Sequence, residues 1–140
     1  MPERFDLSYQ DGSEKKKPIV VHRAILGSLE RFIAILLENS QGWLPIEFSL
    51  VQAQVIVLNK NADLSNYINE FKRLGVRYEI KYFDNINQGI KAHYQNKVPF
   101  SFILGNKELA NNSLVVKSKE NQESISLDQF ESYWSKIKRF

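Results

Sequence analysis

The chain of 140 residues has 43% hydrophobic and 25% charged residues, a composition that suits one ordinary globular domain with at most a short appendage. With no cysteine and two histidines it excludes disulfides, thiolate metal sites and a zinc site built from Cys and His alone. No apolar run approaches the ~20 residues of a membrane span, no signal peptide is visible, and a net charge of +3 permits nucleic-acid binding without arguing for it.

Residues 1–17 hold an extended stretch, Arg4 to Tyr9, and a polar turn at Asp11-Gly12-Ser13. Pro18 to Val21 is expected to form a short strand feeding a helix over 23–38. There Ala24, Ile25, Leu29, Phe32, Ile33 and Leu36 recur at helical spacing and make one apolar stripe. Gly27 and Arg31 share a face of that helix. The glycine costs about 1 kcal/mol against alanine, which asks for close approach of another group. An arginine one turn on can fork onto a phosphate from the same side. The breaker cluster Asn39-Ser40-Gln41-Gly42 follows, and the domain boundary is placed after residue 41.

Beyond it strands and helices alternate. Ala53 to Leu58 is nearly continuous in apolar residues and reads as a strand buried on both faces. Asp63 is placed to cap a helix with Leu64, Tyr67, Ile68, Phe71 and Leu74 on its apolar side, and Gly75 sits where a left-handed cap belongs. From Val76 to Tyr82 apolar and charged residues alternate strictly, which predicts a half-exposed strand. A short helix is expected over 86–95, and a second buried strand over 98–104 with Pro99 at its start. Gly105 to Asn112 reads as a turn and Leu114 to Lys117 as a strand. Ser126 and Gln129 have capping-box spacing before a last helix with Leu127, Phe130, Trp134 and Ile137 on one face.

This order implies an α/β fold: a mostly parallel, mixed sheet of about five strands with helices on both faces. In such sheets the carboxyl ends of the parallel strands form the binding edge, which would carry Asp84 and Asn85 after one strand and Gly105 to Glu108 after another. No dinucleotide fingerprint, P-loop or nucleophile in a catalytic setting is present. The edge instead offers amides, carboxylates and cations, with Asn85, His93, Lys107, Glu108 and Lys117 of the types that read bases or hold phosphates. Tyr82, Phe83 and Tyr94 lie nearby in sequence and suit stacking on unpaired bases. The same residues also fit a plainer role as core aromatics and solvated or capping polar groups.

Residue order adds what periodicity cannot. His22-Arg23-Ala24-Ile25-Leu26-Gly27-Ser28-Leu29-Glu30-Arg31-Phe32 resembles the third signature motif of class II aminoacyl-tRNA synthetases, in the form used by threonyl-tRNA synthetase. Asn85 with Gly89 and Lys91, and Pro99-Phe100 through Gly105, Lys107 and Glu108, are similar to two further segments of that family. The resemblance runs essentially end to end. It implies a strand–helix remnant of the catalytic core over 1–41 and an anticodon-binding domain over 42–140.

It further implies that the chain reads the anticodon loop of threonine tRNA as the C-terminal portion of the ligase, through Asn85, His93, Glu108 and Lys117. Arg31 would contact ATP phosphates, and His22 would be a zinc ligand, only in the full-length enzyme. The other core motifs are missing, so neither Zn nor ATP/Mg is expected to act on this chain alone. The expected partners are tRNA(Thr), the missing catalytic core and a possible second copy, with no membrane, in the cytoplasm or an organelle matrix. Against the family pattern, Asp84 and His93 stand where arginines are usual, and Lys117 replaces an arginine that makes a base contact, keeping the charge but losing the bidentate fork. The alternative reading is a stand-alone synthetase-like module that contacts protein or RNA without anticodon specificity.

Overall fold

Gly27 decides where the first helix begins. Its φ of +67° is a left-handed conformation that a helix cannot pass through, and Ser28 after it accepts the Arg31 amide on Oγ at 3.2 Å, a capping bond. Helix α1 therefore runs Leu29–Asn39, and the start expected at residue 23 is corrected. A Cβ at Gly27 would meet nothing within 4 Å, so conformation, not crowding, accounts for the glycine. The strand expected over 18–21 is likewise not formed; that stretch is irregular and exposed at nearly every residue.

The computed structural model describes residues 1–137, which divide into two units, residues 1–33 and residues from 34 onward. The first contains a hairpin of β1 (Tyr9–Asp11) and β2 (Glu14–Lys16), closed at Gly12 with φ +60° and tied by a Lys16–Asp11 ion pair at 2.6 Å. No residue of this unit is buried.

In the second unit β3 (Ala53–Val57) is buried along its whole length, as its nearly continuous apolar run requires, with Gln54 buried among the apolar residues. The remaining elements are α2 (Ser65–Arg73), β4 (Tyr78–Tyr82), α3 (Ile86–Asn96), β5 (Phe100–Leu104), α4 (Asn106–Ala110), β6 (Ser113–Lys117), β7 (Gln122–Ser126) and α5 (Leu127–Ile137). Asp63 Oδ1 accepts both the amide and the hydroxyl of Ser65 at 2.9 and 2.6 Å where α2 begins, and Gly75 is left-handed after its end, as expected.

The sheet is mixed, in the order β4-β3-β5-β6-β7, with β4, β3 and β5 parallel and β5, β6 and β7 antiparallel. The α/β class and the five-strand mixed sheet stand as read from the sequence. In this unit two elements went unforeseen: α4, inside the expected turn, and β7, which takes Ser126 as its last residue.

One face of the sheet holds the main core, where Val55, Val57, Phe102, Leu104, Leu114 and Val116 meet Tyr67 and Phe71 of α2 and Phe130 and Trp134 of α5. The other face turns to α3. Gly89 of α3 lies so close to β3 that a Cβ there would stand 2.6 Å from Ile56 Cγ2, which fixes the glycine by packing. At the start of β4 the Arg77 guanidinium donates to the carbonyls of Ile46, Glu47 and Ser49 at 2.8–3.2 Å, and the Arg77 amide donates to Gln52 Oε1 at 3.0 Å. That net ties the connection before β3 to the sheet.

Candidate nucleic-acid interface

The parallel strands end in register, with Val57 opposite both Tyr82 and Leu104, so the segments after β3, β4 and β5 leave the sheet side by side. They form a rim of short polar side chains. Asn59 Nδ2 donates to Asn106 Oδ1 at 3.2 Å, linking the β3 and β5 ends. Lys60 Nζ lies 3.4 Å from Asp84 Oδ1, linking the β3 and β4 ends. Asn85 caps α3, its Oδ1 accepting the Asn87 amide at 2.9 Å, so its own amide hydrogens stay available to an acceptor. Glu108 is half-buried and accepts the Gly105 amide on Oε2 at 3.1 Å, which leaves Oε1 for a donor such as a base amine.

Glu108 is also held from below. Tyr67 of α2, buried in the core, donates its hydroxyl toward the carbonyls of Glu108 and Ser113 at 3.1 and 2.9 Å. Burial raises the phenol's pKa above its ordinary value, and the Glu108 charge adds to the effect, so Tyr67 stays a neutral donor.

The four base-contact candidates separate into two pairs. Asn85 and Glu108 lie on the rim on either side of β3, following β4 and β5, whose ends are about 10 Å apart at two strand spacings. Lys117 pairs with Ser101 near the opening of β5, toward the other end of the sheet. His93 belongs to that end too, and its expected role is corrected by where it lies. The ring is fully buried, its Nδ1 shares a hydrogen bond with Ser101 Oγ at 2.9 Å, and Nε2 has no partner of good geometry. Burial, and then the Lys117 charge, push its pKa down to about 4, with the Ser118 backbone opposing this only in part. At neutral pH it is an uncharged packing ring, out of a nucleotide's reach.

His22 and Arg31 are both exposed. Among the described residues no group of three or more His, Cys, Asp or Glu side chains is placed to hold a metal, and His22 by itself supplies one ligand where zinc takes four. No helix among them is long and apolar enough to cross a membrane. Sequence reasoning missed Asn59 and Lys60, although the polar run Asn59-Lys60-Asn61 directly after a buried strand was a usable signal, whereas Asn106 lay within the expected 105–108 segment.

A mixed sheet of this order, with a hydrogen-bonding rim at the ends of its parallel strands, is the architecture of the synthetase domains that recognise anticodons. The chain belongs to the anticodon-binding domain family, whose model matches residues 52–137. Its relatives are threonine–tRNA ligases, as the motifs implied. It is 42% identical over 141 residues to the threonine–tRNA ligase of Clostridium tetani, covering 93% of this chain and 21% of that protein. It is 37% identical over 137 residues to the threonine–tRNA ligase catalytic subunit of Sulfurisphaera tokodaii, covering 93% of this chain and 25% of that one. The solved RNA binding domain of threonyl-tRNA synthetase from Cryptosporidium parvum superposes with a TM-score of 0.77 at 28% identity, over 97% of this chain and 36% of that one. The chain thus spans about a fifth to a quarter of the length of these curated relatives.

Proposed function

We propose that this chain grips the anticodon loop of threonine tRNA as the C-terminal portion of a threonyl-tRNA synthetase, with a remnant of the catalytic core over 1–41 and the anticodon-binding domain over 42–140. The observation that carries the reading is the rim itself, where Asn85 and Glu108 are fixed on either side of β3 with a donor and an acceptor still free. A loop of unpaired bases offers the complementary edges. Lys117, half-buried at the other end, keeps a charge for the RNA backbone or a base without the fork of an arginine. On this reading the ligation of threonine, and with it ATP and zinc, belongs to a catalytic core that Arg31 and His22 would complete.

The test is binding of threonine tRNA against the same tRNA with its anticodon exchanged. Tighter binding of the first is expected, and equal affinity would refute base reading. Glu108→Ala should remove about 1–3 kcal/mol of that discrimination. Lys117→Ala should weaken both RNAs and flatten the salt dependence if its contact is to phosphate.

A further inference from the structure

Away from the rim, toward the opening of β5, the sheet carries a cluster that the anticodon reading leaves largely unused. Trp43 stands edge-to-face against Tyr94 of α3 with ring centroids 5.9 Å apart, and both rings pack on the buried His93 at 5.3 and 5.1 Å. Lys117 Nζ lies 5.5 Å from the centre of the Tyr94 ring and Lys119 Nζ 5.8 Å from that of Trp43. The Tyr94 hydroxyl donates to the Lys119 carbonyl at 3.3 Å, so ring and loop are held together. Neither aromatic is closed off, since Tyr94 is 42% exposed and Trp43 half-buried. Beside Trp43 lies a hollow of about 330 Å³, walled by Phe100, Ser118, Lys119, Glu120 and Asn121 among others.

Fixed rings, each capped by the ammonium of a long side chain, suit one kind of ligand. A base stacks on an aromatic face more strongly than an exposed ammonium does, so an arriving base displaces the lysine. The displaced ammonium is then next to the phosphate of the nucleotide it made way for. Asn121 and Glu120 offer hydrogen-bonding groups to the base edge. The hollow is at the small end of ligand clefts, the scale of one nucleotide. Ser101, which pairs with Lys117, precedes the rim end of β5 at Leu104 by about 10 Å of strand, within the span of one RNA loop.

We propose that Trp43, Tyr94 and Lys119 form a second RNA contact, which stacks one unpaired nucleotide and holds its phosphate without reading the anticodon. The inference deepens the proposed function and rests on it for which RNA is bound. The test uses the full chain with the anticodon stem-loop of threonine tRNA, the same stem-loop with its anticodon exchanged, and oligouridine. Tyr94→Leu should weaken both stem-loops alike, by roughly tenfold, while Tyr94→Phe retains binding. Lys119→Ala should lower the log–log salt slope by about 0.7.

RNA should also quench the fluorescence of Trp43, with the buried Trp134 as an internal reference and Trp43→Phe removing the quench. If the wild type fails to tell the two stem-loops apart but Tyr94→Leu still weakens both, the anticodon reading falls and the platform stands. If the loops are discriminated yet a folded Tyr94→Leu binds as the wild type does, the platform falls alone. Should Tyr94→Leu not fold, Lys119→Ala and the Trp43 quench decide. Absence of binding to all three RNAs overturns the platform and turns attention to a protein partner.

Discussion

Residues 1–33 and the sheet unit after them use the same kinds of side chain to opposite effect. Ile19 and Ile25 are 92% and 82% exposed, whereas Ile56 and Ile103 are 0% and 3% exposed. Composition does not separate them; partners do. The first unit contains a hairpin of two three-residue strands joined at Gly12-Ser13 and the opening of α1, while β3 is paired on both edges and faced on both sides. An apolar residue is covered only when distant parts of the chain converge on it, and that convergence begins beyond α1.

Substitutions put that contrast to the test. Phe130→Ala, at the centre of the aromatic core, should cost about 3–5 kcal/mol in urea denaturation. A second large effect is set by pH. His93 is depressed to about 4 in the folded chain from an ordinary 6.5, so the unfolded chain binds the extra proton between those values. The stability it contributes is full above pH 6.5 and is lost as pH falls toward 4, up to about 3 kcal/mol. Denaturation at pH 4.5 and 7.5 checks this, and His93→Leu should flatten the slope.

Gly89→Ala forces a methyl against Ile56 and should cost about 1–3 kcal/mol. Arg77→Ala, which frees the 46–49 connection, should cost about 1–2 kcal/mol and make that segment more open to hydrogen exchange. The smallest change belongs to the other region. Ile25→Ser should move the unfolding midpoint by no more than about 0.5 kcal/mol, and a larger loss would show that this residue is covered in solution.

The legible parts of the fold were those with a clear period or punctuation. β3 and β5 announced themselves by nearly continuous apolar runs, β4 by alternation, and α2 by Asp63 and Gly75 at its two ends. β7 was illegible because Gln122, Glu123 and Ser124 are exposed and Ile125 alone is buried, which is how an edge strand reads. The start of α1 was misplaced because the apolar period runs on through Gly27, while the backbone does not. Asn85 and Glu108 were found from topology, since sheet order fixes which segments share an edge. His93 was not placed, although its four-residue spacing from Gly89 puts both on the α3 face that meets the sheet. The resemblance directed attention to a lost arginine rather than to that spacing.

The order of the sheet leaves β4 and β7 at its two margins, each with one side unpaired among the described residues. β4 answers with the Glu79–Lys81 pair at 3.1 Å and β7 with its run of exposed polar residues. Charged and polar margins deny another chain an apolar strand to zip onto. Runaway strand addition is thereby disfavoured at the two places where an open sheet most invites it.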